Sequence, residues 1–287
     1  MNTLQRLAVL LITALGLIGY ARTGTPASPA REARTSTALP NVHVLPALTI
    51  PGLDRQRAIR LYLPPGYAKS GARYPVIYLH DGQNLFDAAT GFAGEWEVDE
   101  SLDRLAREKH LEVIAVGIDN GGEHRLQELT GWDNEKYGKA EGAAYVDFIV
   151  DVVKPYVDRH YRTLADRTHT AIMGSSLGAL ISHYALMRRP EVFGSAGLFS
   201  PSYWYAPPSF TDAARPLASG TRLYLYAGSD EDPDMVANML KMASVLQDAG
   251  LPRASMKIRV VAAARHNEAA WRSEFPAAVE WLFGSGR

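Results

Sequence analysis

Residues 168–180, Thr-His-Thr-Ala-Ile-Met-Gly-Ser-Ser-Leu-Gly-Ala-Leu, constrain this chain more than any other stretch. An apolar run ending at Met173 meets Gly174-Ser-Ser-Leu-Gly178, and apolar residues at helical spacing follow at Leu177, Leu180, Ile181, Tyr184 and Ala185. Strand, sharp turn and helix must therefore fit into a few residues, the setting a G-x-S-x-G elbow requires. Such a turn holds its central residue in a strained backbone conformation, and glycines two positions to either side leave room for strand and helix to approach. Ser176 occupies the bend, which makes it a candidate nucleophile. The N–H groups of the first helical turn, at the positive end of the helix dipole, would face negative charge developing beside its hydroxyl. A glycine- and serine-rich loop matching by chance is the alternative, and the strand-to-helix setting counts against it.

The rest of the chain supplies a sheet for this elbow. Residues 43–50 and 57–63 alternate or run apolar around Pro51-Gly52, which predicts an antiparallel pair at a sheet edge. Residues 75–79 read as a strand covered on both faces, and 111–118 as the next. Between them, residues 96–110 carry Val98, Leu102 and Leu105 at helical spacing. Val146, Ile149, Val152, Val153, Tyr156 and Val157 mark a further helix face, which Pro155 should break or kink. Strands over 192–199, 222–227 and 256–262 alternate with helices over 235–246 and 271–283. This alternation predicts an α/β fold: a mostly parallel central sheet flanked by helices, with right-handed crossovers and antiparallel N-terminal edge strands. Residues 121–142 form a polar stretch too long for a simple connection. No internal repeat and no second composition regime occurs, so residues 42–287 read as one domain.

The N-terminus reads as an address. One positive side chain, Arg6, precedes an almost wholly apolar run over residues 7–20, with small residues at Gly19 and Ala21 for cleavage. This predicts a signal peptide over 1–21 and export, to the periplasm or outside the cell. The run is shorter than the roughly 20 residues a bilayer span needs, so no stable membrane insertion is expected after cleavage. Residues 22–41, rich in Thr, Ala, Pro and Arg, predict a disordered leader. A net charge of −1 carries no basic excess for nucleic-acid binding, and the absence of cysteine excludes disulfides, thiolate metal sites and a cysteine nucleophile.

A serine hydroxyl needs a base within hydrogen-bond reach and an acid to orient that base. Of eight histidines, His266 lies directly after the last strand and before the last helix, the place expected for a base in the order Ser, acid, His. His80, at a strand end, reads as structural, and no histidines show metal-ligand spacing. The acid should follow the 222–227 strand in Gly228-Ser-Asp-Glu-Asp-Pro233, where Asp230, Glu231 and Asp232 compete and position alone does not separate them. Glu231, at the loop tip, is the first choice, and Asp232 also suits a helix N-cap. For an oxyanion hole, Leu177 N–H is one candidate donor and Gln83, after the bend Asp81-Gly82, the other, with a plain turn as the alternative for that tetrapeptide.

Four blocks, Tyr78-Leu-His-Asp-Gly-Gln-Asn-Leu-Phe86, Gly174-Ser-Ser-Leu-Gly178, Gly228-Ser-Asp-Glu231 and His266-Asn-Glu-Ala-Ala-Trp271, resemble in order the signatures of the esterase D-like group of α/β-hydrolases. That group includes enterochelin esterase-like and feruloyl esterase-like enzymes. The resemblance covers most of residues 42–283 and implies an α/β-hydrolase fold. It also implies a serine esterase that needs no metal or cofactor, with Ser176 as nucleophile, His266 as base and an acid in the Gly228 loop. The substrate expected is a small-molecule or glycan ester. Tyr203 and Trp204, after the 192–199 strand, and Trp132, in the polar stretch, are candidate pocket walls, with packing as the alternative. The short separation between Ser200 and the 222–227 strand argues against a large lid. Two rivals remain: acyl transfer to a sugar or lipid acceptor, and a non-catalytic carbohydrate-binding module on the same scaffold.

Overall fold

The apolar runs pair into one sheet in the computed structural model, which describes residues 34–284. Its strands are β1 (Val42–Ile50), β2 (Arg55–Tyr62), β3 (Val76–His80), β4 (Ile114–Ile118), β5 (Thr170–Ser175), β6 (Ser195–Phe199), β7 (Arg222–Gly228) and β8 (Met256–Val261). Their order across the sheet is β1-β2-β4-β3-β5-β6-β7-β8. β1 with β2 and β2 with β4 are antiparallel, and every other pairing is parallel. The mostly parallel sheet with an antiparallel N-terminal edge is thus as the sequence pattern predicts.

Every residue of β3, β4, β5 and β6 is buried, as parallel strands must be when helices cover both faces. Side chains alternate between two core layers. Val76 and Tyr78 face the helices Gly142–Phe148, Lys154–His160, Leu177–Arg188 and Pro233–Asp248, whereas Ile77 and Leu79 face Val98–Lys109 and Glu268–Phe283. Pro155 does not break its helix. Gly142–Phe148 widens into a π-helical turn, Ile149–Val153, and continues as Lys154–His160, with the proline in the first turn after the widening.

The polar stretch after β4 has structure of its own: a short helix, Arg125–Glu128, and a bridge between Asn134 and Gly138. Buried Glu128 accepts from Arg55 and Arg57 and so fastens the stretch to β2. The β6–β7 connection holds only the turn Tyr203–Tyr205 and the helix Ser209–Asp212, too little for a large lid. Among the described residues no helix is long and apolar enough to cross a membrane.

The segment read as a signal peptide, residues 1–21, lies outside the described residues, as do 22–33 of the expected leader. The leader's last part, 34–41, is hydrogen-bonded to the fold. Ser36 Oγ donates to Asp87 Oδ2 (2.7 Å), Thr37 Oγ1 to Glu95 Oε2 (2.9 Å) and Leu39 N–H to Asp99 Oδ2 (2.8 Å). Composition alone misplaced this boundary, because the partners are carboxylates distant in sequence.

Candidate active site

Ser176 lies between β5 and the helix Leu177–Arg188 at φ 58° and ψ −120°, a conformation that costs a non-glycine residue about 1–3 kcal/mol. The surrounding structure enforces it. Ser176 N–H donates to Phe199 O of the neighbouring strand (2.9 Å). A Cβ on Gly174 would stand 2.8 Å from the carbonyl carbon of Gly178, so the two glycines set how closely strand and helix cross. Leu177 opens the helix, and its N–H has no intrahelical acceptor.

A second open N–H is built after β3. Asp81, at φ 57°, turns the chain into a single 3₁₀ turn, Gly82–Asn84. Asn84 N–H donates to Asp81 O and Leu85 N–H to Gly82 O, which leaves the Gln83 N–H without an acceptor in the turn. The Gln83 side chain is committed elsewhere, with Oε1 accepting from Asn120 N–H (3.0 Å). Asp81 is itself clamped by Arg125 (2.6 and 2.8 Å) and by Asn120 Nδ2 (2.6 Å). Burial acts to raise the Asp81 pKa, but these partners, Arg125 above all, outweigh it and hold the carboxyl below its ordinary value. His80 is buried, with Nδ1 2.9 Å from Tyr145 Oη, and burial pushes its pKa down to about 4 despite the nearby Asp81.

His266 and Glu231 meet across the loops after β8 and β7. His266 Nδ1 lies 2.8 Å from Glu231 Oε2 and donates to it, since a carboxylate can only accept. Glu231 Oε1 accepts from Gly228 N–H (2.7 Å) and Ser200 Oγ (2.7 Å). The Ser200 hydroxyl in turn accepts from Trp271 Nε1 (2.9 Å), and the Trp271 ring stands edge-on to His266 with centroids 4.9 Å apart. Burial acts to raise the Glu231 pKa, but the hydrogen bonds from His266, Ser200 and Gly228 pull it below the usual carboxylate value. The competing acids are engaged otherwise. Asp230 pairs with exposed Arg265 (3.0 Å), and Asp232 caps the helix Pro233–Asp248 by accepting from Asp234 N–H (2.9 Å).

Ser176 and His266 open onto one cavity of about 420 Å³, together with Ser202, Trp204, Met235 and the carboxylates Asp232 and Asp234. Within it Ser176 Oγ pairs with Ser202 Oγ at 3.0 Å rather than with the imidazole. Of the three aromatic residues expected as walls, only Trp204, 53% exposed, lines this cavity. Tyr203 and Trp132 require correction. Tyr203 is fully buried, its hydroxyl 3.1 Å from His183 Nδ1. Trp132 packs edge-on against Tyr184 and donates to Asp212 Oδ2 (2.7 Å), so both rings belong to the core layer behind the elbow helix. Ser200, Ser202 and Asn120 had no individual part assigned in the site, and Arg125 counted only as part of the polar stretch taken as a possible wall. In sequence they are ordinary polar loop residues, and only the positive φ of Ser200 (46°), a structural feature, marks its loop as unusual.

A hydroxyl on a strained turn, an imidazole oriented by a buried carboxylate and two N–H groups without local acceptors make up the equipment of acyl transfer. Comparison with known proteins gives the family. The family model described as "Putative esterase" matches residues 50–282. Protein YbbA of Bacillus subtilis (strain 168) is 27% identical over 246 residues, covering 80% of this chain and 94% of that protein. The endo-1,4-beta-xylanase/feruloyl esterase of Xylanibacter ruminicola is 26% identical over 204 residues, 68% of this chain but 25% of that protein. The crystal structure of the enterobactin esterase FES from Shigella flexneri superposes with a TM-score of 0.68 at 20% identity, over 84% of this chain and 58% of that one. At that identity the likeness speaks for the fold, an α/β-hydrolase sheet.

Proposed function

Since the chain belongs to the family of carboxylic ester hydrolases described as "Putative esterase", we propose that it is an exported serine esterase working through an acyl-serine intermediate. In this reading His266, with its Nδ1 proton on Glu231, offers Nε2 as base. The Ser176 hydroxyl turns from Ser202 toward it, gives up its proton and bonds to the ester carbonyl carbon. The oxyanion of the tetrahedral intermediate takes the N–H groups of Leu177 and Gln83, each worth roughly 3–4 kcal/mol in such a hole. The intermediate collapses, the bond to the alcohol oxygen breaks, and the imidazolium returns the proton to the leaving alcohol. Water then repeats the sequence on the acyl-serine, with Glu231 remaining ionised throughout.

The observation that carries the proposal is the bond between His266 and buried Glu231 at the edge of the cavity that also receives the strained Ser176. The substrate side of the cavity favours a soluble ester. With no large lid, a bulky alcohol can project into solvent, and half-exposed Trp204 offers a face for an aromatic acyl group. An aromatic acyl group also fits the feruloyl esterase activity named for the Xylanibacter relative. Asp232 and Asp234, the carboxylates lining the cavity, disfavour anionic acyl groups. Export rests on the signal-like residues 1–21. Purified Ser176→Ala should lose hydrolysis of short p-nitrophenyl esters and labelling by a fluorophosphonate; retention of either at the wild-type level sinks the proposal.

A further inference from the structure

Away from the cavity, three carboxylates meet without a counter-charge. Glu95, Asp99 and Glu100 each place one oxygen within 4.8 Å of the others. Asp99 is 0% exposed and Glu95 7% exposed, and Glu95 Oε1, Asp99 Oδ1 and Glu100 Oε2 are buried with no hydrogen-bond partner. The second oxygens of the two buried residues are taken, Glu95 Oε2 by Thr37 Oγ1 and Asp99 Oδ2 by Leu39 N–H. No Lys, Arg or His forms an ion pair with any of the three among the described residues. Asp99 and Glu100 stand in the first turn of the helix Val98–Lys109, whose dipole offsets about 0.3–1 kcal/mol per charge. That is small beside the cost of burying three carboxylate oxygens that have neither a cation nor a donor.

We propose that Glu95, Asp99 and Glu100 bind a calcium ion. An oxygen-only, anionic donor set is the chemistry of a hard divalent cation. Calcium accepts six to eight oxygens in a flexible geometry at about 2.3–2.6 Å, whereas magnesium demands a near-ideal octahedron at about 2.1 Å and gives up its waters reluctantly, so an irregular set of three carboxylates suits calcium better. Waters complete the shell. Without the ion the cluster compensates by holding protons: burial, reinforced by Glu100, pushes Asp99 up to about 8, and burial likewise raises Glu95. The ion lies where two segments join. It ties residues 37–39 to the start of the helix Val98–Lys109. It also steadies Trp96, which packs on Trp271 at 5.8 Å and whose N–H donates to Asn84 O in the turn that carries Gln83.

The test uses the full chain, stripped with a chelator and titrated with CaCl2 at pH 7.5 by calorimetry and by thermal unfolding. One ion should bind per chain, and at about a hundred times Kd the Tm should rise by about 5–10 °C, with MgCl2 giving less. D99N, and E100Q should D99N fold poorly, should lose the binding heat and the Tm rise. Absence of both signals in the wild-type protein at 10 mM CaCl2 overturns the proposal and leaves a proton-sharing cluster. Calcium binding that survives in folded D99N or E100Q also overturns it, because the ion then sits elsewhere.

Discussion

Replacing Glu231 by glutamine changes one oxygen to NH2 and alters little else, so its effect follows from counting donors. Three donors converge on the carboxylate: Gly228 N–H and Ser200 Oγ on Oε1, and His266 Nδ1 on Oε2. An amide has one acceptor end. If its NH2 takes the Oε1 place it confronts a backbone N–H that cannot become an acceptor, and a Ser200 hydroxyl already receiving the Trp271 indole proton. The NH2 will therefore take the Oε2 place. Imidazole can adapt by moving its proton from Nδ1 to Nε2, the position that must be free to accept from Ser176. The protein stays folded with the wrong tautomer, and the imidazolium formed during attack loses its negative neighbour. An Asp→Asn change with the same consequence in a Ser-His-Asp protease costs about 10⁴ in kcat. For Glu231→Gln we expect a fall of about 10²–10⁴ in kcat, about 3–5 kcal/mol of transition-state stabilisation, while stability drops by only about 1–3 kcal/mol. Short p-nitrophenyl esters provide the assay, with urea unfolding as the control. Asp230→Asn should be near neutral, because its pair with Arg265 is exposed and screened. A folded Glu231→Gln enzyme with kcat within about threefold of wild type, or an Asp230→Asn enzyme impaired more, would refute the reasoning.

Two further outcomes are expected. His80 and His183 are buried neutral, burial pushing both down to about 4, whereas the unfolded chain protonates them near pH 6.5. The unfolded state thus binds more protons inside that window, and stability should be fully present above about pH 6.5 and fall toward pH 4 by up to about 1.4 kcal/mol per pH unit for each histidine. Urea midpoints at pH 7, 6 and 5 measure the slope, against which the raised Asp99 carboxyl works with opposite sign; His183→Phe should lower the wild-type slope by one histidine's share, and an unchanged slope in that variant would show that His183 does not contribute. Trp204→Ala should raise KM for aryl esters by about fivefold, about 1 kcal/mol, with kcat little changed. An equal loss for acetyl and aryl esters would remove Trp204 from acyl recognition.

The elbow was legible because its constraint is local. The glycines at 174 and 178, the apolar run before them and the helical spacing after them act on neighbours in the chain, and they imply the φ of 58° that Ser176 adopts. The same holds for the strand order of events that brings the loops of Glu231 and His266 to one sheet edge, and for the antiparallel start of the sheet. Element ends moved by a few residues, as with β4 beginning at Ile114 rather than at residue 111, since the last pairing depends on the neighbouring strand.

Choices among near-identical candidates were of another kind. Asp230, Glu231 and Asp232 are adjacent and chemically alike, and only the turn of the loop sends one to His266, one to Arg265 and one to a helix N-terminus. Trp204 and Tyr203 are consecutive aromatics, one in the cavity wall and one in the core, according to which side of a 3₁₀ turn each occupies. Residues 34–41 have a leader's composition yet meet acidic partners more than 50 positions away. The sequence alone determined the architecture and the strained serine, because periodicity and steric exclusion operate over a few residues. The tertiary structure decided which carboxylate, which aromatic ring and which hydroxyls reach the serine's cavity, because those distances are set by the packing of elements far apart in the chain.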